Sequence, residues 1–232
     1  MKIELQYIEG CPHCEKLYTI AGNAVKRLSI DATITKHLVK TSDEARRLNF
    51  LGSPTLLVDG RDIEGSTKYV NGLGCRLYIS GGGVPEEWMV ESALVRAQKP
   101  RGVLFMCVMN SARSQLAEAI ARKFAPKGVE VFSAGSSPSR VHPLAIKVLE
   151  EAGFSTAELY SKSVDAIDPK AVQLVITLCA EEVCPVFLGK AYRFRWPFFD
   201  PASAGAEEEK KLEAFRKVRD ELIKRIRHLF SY

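Results

Sequence analysis

Hydrophobic positions in the first hundred residues follow two spacings. Residues 2–8 alternate polar and apolar side chains, as a strand does, whereas Leu17, Ile20, Ala24 and Leu28 recur at helical spacing. In chain order the pattern predicts a strand over 2–8, a helix from "CPHC" to about residue 28, a strand over 32–39, a short helix over 43–48, a strand and turn in "GSPTLLVDG", and a helix from Pro85 to about Ala97.

The remaining residues repeat the alternation of strand and helix. The pattern predicts strands over 103–107, 129–132 and 172–178, helices over 113–124 and 142–152, and a long final helix from about Ala206 to Leu229. Strands separated by helices indicate a parallel sheet with helices on both faces.

The segment "AQKPRG" interrupts the pattern and offers no core side chains, so we place a boundary near residue 99. A chain of 232 residues with 46% hydrophobic residues can form two packed cores. The sequence therefore predicts an α/β protein of two domains, 1–98 and 99–232.

Composition narrows the classes of function. No apolar run approaches a membrane-spanning length, and the first residues are unlike a signal peptide, so we expect a cytoplasmic protein without membrane association. The net charge of +5 arises entirely after residue 98, where 21 basic residues face 16 acidic ones, whereas residues 1–98 hold 12 of each. This surplus is consistent with an anionic ligand in the second domain. Nucleic acid is disfavoured because the basic residues are interspersed with acids.

Six cysteines without a secretory signal indicate reactive thiols rather than a disulfide framework. Cys11 and Cys14 form a C-x-x-C, Cys179 and Cys184 are close in sequence, and Cys75 has no evident mate. Zinc is the alternative for the two pairs. It is disfavoured at "TLCAEEVC", where four residues separate the cysteines and no histidine is near.

The segment "CVMNSARS" lies between a predicted strand and a predicted helix. Such a loop directs backbone N–H groups and the positive end of the helix at one point, which binds a tetrahedral oxyanion and favours a thiolate. Arg113 can hold two oxyanion oxygens, and Ser114 can donate a hydrogen bond to the sulfur of Cys107. A buried structural cysteine is the alternative, but it would not require the arginine.

These residues resemble the low-molecular-weight tyrosine phosphatase fold, and more closely its thioredoxin-coupled arsenate reductase branch. The segments "FSAG", "HPLAIKVLEEAGF", "VITLCAEEVCPVF" and "WPFFDPA" extend the resemblance over roughly 102–204. It implies Cys107 as nucleophile, Asp200 as general acid, and Asn110, Ser111, Arg113 and Ser114 as oxyanion-binding residues. This chain has "DPASAG" where phosphatases usually carry a tyrosine pair after the acid, which points to a small inorganic substrate.

The resemblance also implies a relay of thiols, since reduction of As(V) to As(III) consumes two electrons. Cys107 would attack arsenate, Cys179 would attack the adduct and release arsenite, and Cys184 would close a disulfide with Cys179. The gap between the last two cysteines is shorter here than in familiar members of the branch. Some members bind potassium near residues matching Asn110 and Glu118. We favour Glu118 as an exposed helix acid over a potassium ligand.

The first domain resembles a thioredoxin-like fold over about 97 residues. In that fold Cys11 would be the exposed thiolate at the start of a helix, Cys14 the buried resolving thiol, and Pro54 the cis-proline that faces them. A metal site of Cys11, Cys14 and His13 is the alternative. The intervening "PH" also occurs in strongly oxidising relatives of the fold, which would make the domain a weak electron donor.

Together the domains predict an arsenate reductase whose own redox domain reduces the relay disulfide. A short linker raises the effective concentration to roughly millimolar. An external thiol system, thioredoxin with its reductase or glutathione with glutaredoxin, would recharge the first domain. Two other classes remain open: a phosphatase with a redox-regulated nucleophile, and a non-catalytic module that binds arsenic or mercury.

Overall fold

The computed structural model describes residues 1–66, 72–180 and 187–231. The chain divides into two compact units, Met1–Gln98 and Lys99–Phe230. Among the described residues, no helix is long and apolar enough to cross a membrane.

The first unit is built on a four-stranded sheet. Its elements are β1 (Lys2–Tyr7), α1 (Cys14–Leu28), β2 (Thr33–Leu38), α2 (Ser42–Leu48), β3 (Thr55–Val58), β4 (Arg61–Asp62) and α3 (Glu87–Ala97). The strand order is β2-β1-β3-β4, with β1 parallel to β2 and antiparallel to β3. Helix α1 buries Leu17, Ala24 and Leu28 as the periodicity predicts, and Ala21 with them. The arrangement is the thioredoxin-like α/β fold that the sequence predicts.

The second unit is built on a parallel sheet. Its elements are β5 (Gly102–Cys107), α4 (Arg113–Phe124), β6 (Glu130–Gly135), α5 (Pro143–Glu151), β7 (Leu174–Cys179), β8 (Tyr192–Phe198) and α6 (Glu208–Leu229), with 3-10 turns at Val164–Ala166 and Pro201–Ser203. The strand order is β6-β5-β7-β8, and every pairing is parallel. Because β5 and β7 lie inside the sheet, nearly all their side chains are buried. This is the predicted phosphatase-like fold.

Helix α6 closes one face of the second sheet. Its apolar stripe is buried and packs against α4 and α5. The stripe consists of Leu212, Phe215, Val218, Leu222, Ile226 and Leu229. Burial of this continuous stripe fixes α6 against α4, the helix that begins at Arg113.

Strand β8 is the main element that the hydrophobic pattern did not predict. Its segment "YRFRWPF" alternates exposed and buried side chains, and Pro197 is tolerated because β8 is an edge strand. Strand β6 also runs three residues further than predicted, to Gly135. Both differences affect the position of residues considered below, because β8 leads to Asp200 and the extension of β6 contains Ser133.

Candidate active site

Cys107 ends the central strand β5, and the loop 108–112 connects it to the first residue of α4, Arg113. The thiol is buried, with its Sγ 2.9 Å from Ser114 Oγ. The strand therefore delivers the sulfur to the N-terminal end of α4, where the partial positive charge of the helix favours an anion.

The backbone of the loop is turned so that its carbonyl groups face the surrounding scaffold. Successive carbonyl oxygens of residues 108–112 accept hydrogen bonds from Ser137 N, Ser139 N, Ser161 Oγ, His142 N and Leu116 N. In a trans peptide the carbonyl of one residue and the N–H of the next point in opposite directions. The N–H groups of residues 109–113 therefore point away from these hydrogen-bond partners. Consecutive N–H groups that point away from the scaffold in this way are the arrangement that binds an oxyanion in a loop.

Asn110 holds this loop in shape. It is fully buried and adopts a φ of 43°, a left-handed conformation that asparagine tolerates better than most residues. Its Nδ2 donates to Ser114 Oγ and Ser133 Oγ, each at 2.8 Å, and its Oδ1 accepts from the backbone N–H of Lys162 at 2.8 Å. Asn110 is therefore a structural organiser of the loop, and its amide is fully occupied by the protein.

Arg113 and Asp200 come together from distant parts of the chain. The buried Arg113 guanidinium donates to the carbonyl of Phe198 at 3.0 Å, and its Nη2 lies 4.0 Å from Asp200 Oδ2. Asp200 Oδ1 accepts from Ala202 N at 3.2 Å at the start of a 3-10 turn. The aspartate is partly exposed, so one of its oxygens is held while the other faces the guanidinium.

Cys179 ends β7, the strand beside β5. Since Met106 pairs with Thr177, the two cysteines lie at the same edge of the sheet and differ by one position in register. Cys179 is buried, and the register between β7 and β8 is irregular at Thr177 to Cys179. Cys184 lies outside the described residues.

Ser111 is held in the loop through its backbone. Its carbonyl oxygen accepts a hydrogen bond from the backbone N–H of His142.

The expectation that Glu118 is an exposed helix acid is wrong. Glu118 is 1% exposed. It pairs with Arg122 at 2.7 Å and with Lys162 at 3.0 Å, and it accepts a hydrogen bond from Ser133 Oγ. The carboxylate is buried because two cations and a hydroxyl compensate its charge.

Several site residues were missed by the sequence reasoning. Gln115 Nε2 donates to Asn110 Oδ1 at 3.0 Å, and Ser133 bridges Asn110 to Glu118. A Cβ on Gly135 would lie 2.3 Å from the carbonyl oxygen of Val108, so only glycine allows the loop this close to β6. Ser133 and Gly135 lie in "FSAG", a signal that was present in the sequence.

The dithiol of the first unit lies where β1 meets α1. Cys14 is the first residue of α1 and is buried, whereas Cys11 is partly exposed. Burial raises the pKa of the Cys14 thiol above its ordinary value. The Ser53–Pro54 peptide bond is cis, as the resemblance predicts, and Ser53 Oγ accepts from Ile8 N at 3.1 Å. Cys75 is exposed.

These features define a phosphatase-like unit, with a buried cysteine between a central strand and the start of a helix, joined to a thioredoxin-like unit. The family model for low molecular weight phosphotyrosine protein phosphatase matches residues 102–232, and that for a thioredoxin domain matches residues 1–67. The first match covers more than half of the chain, which therefore belongs to the low molecular weight phosphatase family.

The relatives of this chain within that family include arsenate reductases. Curated examples are those of Halalkalibacterium halodurans, 39% identical over 127 residues, and Bacillus licheniformis, 41% identical over 130 residues; each alignment covers 54% of this chain and 91% of the relative. The crystal structure of an arsenate reductase from Archaeoglobus fulgidus is 28% identical over 56% of this chain and 99% of that one, with a TM-score of 0.49. By its relatives in sequence, the chain belongs with the arsenate reductases.

Proposed function

We propose that this protein reduces arsenate to arsenite by a relay of three cysteines, and that its thioredoxin-like unit reduces the resulting disulfide. The observation that carries the proposal is the pair of buried cysteines, Cys107 and Cys179, at the ends of adjacent parallel strands. A phosphatase needs only the first of them, whereas a two-electron reduction needs a second thiol beside it.

In the first step the loop binds arsenate through its N–H groups and Arg113. The Cys107 thiolate attacks arsenic and forms an S–As bond, while Asp200 gives a proton to the oxygen that leaves as water. Ser114 supports this step because its Oγ already accepts from Asn110, which leaves its hydrogen for the sulfur of Cys107. The adduct still contains As(V).

In the second step the Cys179 thiolate attacks the sulfur of Cys107. A disulfide forms between the two cysteines, the S–As bond breaks, and its electron pair remains on arsenic, which leaves as arsenite, As(III). The Cys184 thiolate then attacks Cys179, expels the Cys107 thiolate, and leaves a Cys179–Cys184 disulfide. The nucleophile is thereby ready for another turnover, with the oxidation stored in the other two thiols.

The first unit would then return two electrons to the relay. Cys11, the more exposed thiol, attacks the relay disulfide and forms a mixed disulfide, and Cys14 resolves it. The relay regains its two thiols and Cys11–Cys14 becomes a disulfide, which an external thiol reductant such as thioredoxin recharges. The burial that raises the pKa of Cys14 supports its role as the thiol that acts second.

The test is arsenate-dependent NADPH oxidation by the full chain with thioredoxin and thioredoxin reductase. Cys107→Ser and Cys179→Ser should each abolish turnover, because each removes one member of the relay. Cys75→Ser is the matched control, since it removes an exposed thiol outside the relay and should leave the rate unchanged. Full turnover by Cys179→Ser would contradict the relay.

Two further results separate the alternatives. A phosphatase would hydrolyse p-nitrophenyl phosphate rapidly without any thiol and would not need Cys179. Internal electron transfer predicts that Cys14→Ser accumulates a cross-link between the two units under turnover. If Cys11→Ser leaves the rate unchanged at limiting thioredoxin, the first unit does not serve the relay.

A further inference from the structure

The buried carboxylate of Glu118 lies where the resemblance implies a potassium ion. In this chain the Lys162 ammonium lies there. Its Nζ is 3.0 Å and 3.4 Å from the two oxygens of Glu118, 3.1 Å from the carbonyl oxygen of Tyr160 and 3.4 Å from Ser133 Oγ. These oxygens are the donors that a potassium ion would use. A second monovalent cation beside the ammonium would meet like-charge repulsion in a buried site, so the residues present do not fit potassium.

We propose that Lys162 is a built-in cation that replaces potassium at the oxyanion loop and makes the enzyme independent of added potassium. The proposal rests on the proposed function only for its activity readout. Lys162 is a positioning residue, because it acts on the substrate through the loop.

Lys162 is connected to the loop directly through its backbone and indirectly through its ammonium. Its backbone N–H donates to Asn110 Oδ1 at 2.8 Å, and its ammonium holds Glu118, which accepts from Ser133. The hydroxyl of Ser133 donates its hydrogen to Glu118. Its oxygen can therefore act only as an acceptor towards Asn110 Nδ2. The charge of Lys162 thus helps to set the direction of the hydrogen bonds that shape the loop.

The same chain of contacts leads to the nucleophile. Asn110 Nδ2 donates to Ser114 Oγ, and Ser114 lies 2.9 Å from Cys107 Sγ. Glu118 is 1% exposed and the Lys162 side chain 10%, so water compensates little of either charge. Loss of the ammonium would leave a buried carboxylate with one partner fewer next to the loop.

Arg122 provides a matched comparison on the same carboxylate. It pairs with Glu118 at 2.7 Å, but its side chain is 35% exposed and its other partner is Glu158. Removing Arg122 therefore deletes a charge from Glu118 while the lysine ammonium stays beside the loop. Only removal of Lys162 should open a place that a potassium ion can fill.

The experiment compares the full-length wild type, Lys162→Met and Arg122→Met in sodium and in potassium chloride of equal concentration. The readouts are the affinity for inorganic phosphate by calorimetry, the thermal midpoint, and arsenate reduction. We expect the wild type and Arg122→Met to change less than about twofold between the salts. In sodium, Lys162→Met should bind phosphate about tenfold more weakly, the effect of losing a charge-assisted hydrogen bond. Potassium should restore most of that affinity and raise its thermal midpoint.

Three results would overturn the proposal: a wild type that potassium activates, a Lys162→Met variant equally impaired in both salts, or one that fails to fold in both. If Lys162→Met folds only in potassium, the proposal is supported. Lys162→Arg keeps the charge and should remain insensitive to potassium. Phosphate affinity does not depend on electron transfer. If the wild type did not reduce arsenate, the proposed function would be refuted, but the phosphate affinities in the two salts would still test the role of Lys162.

Discussion

Replacing Ser114 by alanine removes a side-chain hydroxyl that contacts Cys107, the proposed nucleophile. Ser114 is fully buried at the start of α4, with its Oγ 2.9 Å from Cys107 Sγ and 2.8 Å from Asn110 Nδ2. The amide of Asn110 donates to the serine oxygen. The serine hydrogen is therefore available to the sulfur of Cys107, and in the proposed relay it would stabilise the thiolate both before attack and when Cys107 leaves in the later exchange.

The size of the effect follows from this geometry. A hydrogen bond to a charged group contributes about 1.5–3 kcal/mol, which corresponds to a loss of about 10- to 150-fold in a rate that depends on the thiolate. The substitution also leaves one hydrogen of Asn110 Nδ2 without its acceptor, at a cost of about 1–3 kcal/mol in the free energy of unfolding. The other hydrogen keeps Ser133, so we expect Ser114→Ala to fold.

Two assays measure the consequence. The first is kcat for arsenate reduction, and the second is the rate at which iodoacetamide alkylates Cys107 at neutral pH, since only the thiolate reacts. Ser92→Ala is the control, because Ser92 is also buried in a helix but donates to the carbonyl of Trp88 in the other unit. Both rates should fall for Ser114→Ala and remain unchanged for Ser92→Ala. A folded Ser114→Ala with wild-type alkylation and wild-type kcat would refute the reasoning.

Two further substitutions test other parts of the molecule. Asp200→Asn retains a side-chain oxygen that can accept the hydrogen bond from Ala202 N, but it lacks the acidic proton. The kcat for arsenate should therefore fall by about 10²- to 10⁴-fold with little change in KM. A kcat within threefold of the wild type would exclude Asp200 as the general acid. Burial raises the pKa of Glu91 to about 7 in spite of its ion pair with Arg27, so this carboxyl binds a proton more tightly in the folded state than in the unfolded one. Its contribution to the free energy of unfolding is therefore greatest at low pH and falls by up to about 3 kcal/mol between pH 4.5 and pH 7. The free energy of unfolding of Glu91→Gln, measured by chemical denaturation at pH 5 and pH 8, should not show that fall. An identical pH dependence in the wild type and the variant would contradict the raised pKa of Glu91.

The amino-acid sequence predicted the features that depend on neighbouring residues. Periodicity located α1 and α4 because a helix that packs on a sheet must repeat its apolar side chains every turn. The loop between Cys107 and Arg113 was predictable for a similar reason. The thiol of Cys107, the N–H groups of the loop and the guanidinium of Arg113 lie within one short segment, and the strand and helix around it fix their common direction. The dithiol at the start of α1 is equally local.

Tertiary structure decided what depends on distant segments. Asp200 follows an edge strand, and only the pairing of β8 with β7 brings it to Arg113, 87 positions earlier in the chain. Glu118 is expected from the sequence to be exposed, because lone carboxylates are rarely buried. The loop that carries Lys162 folds over it and supplies the compensating charge. The spacing of residues predicts which side chains share one face of a helix or strand. Burial of a charge depends instead on a partner of opposite charge, and only folding brings that partner into contact.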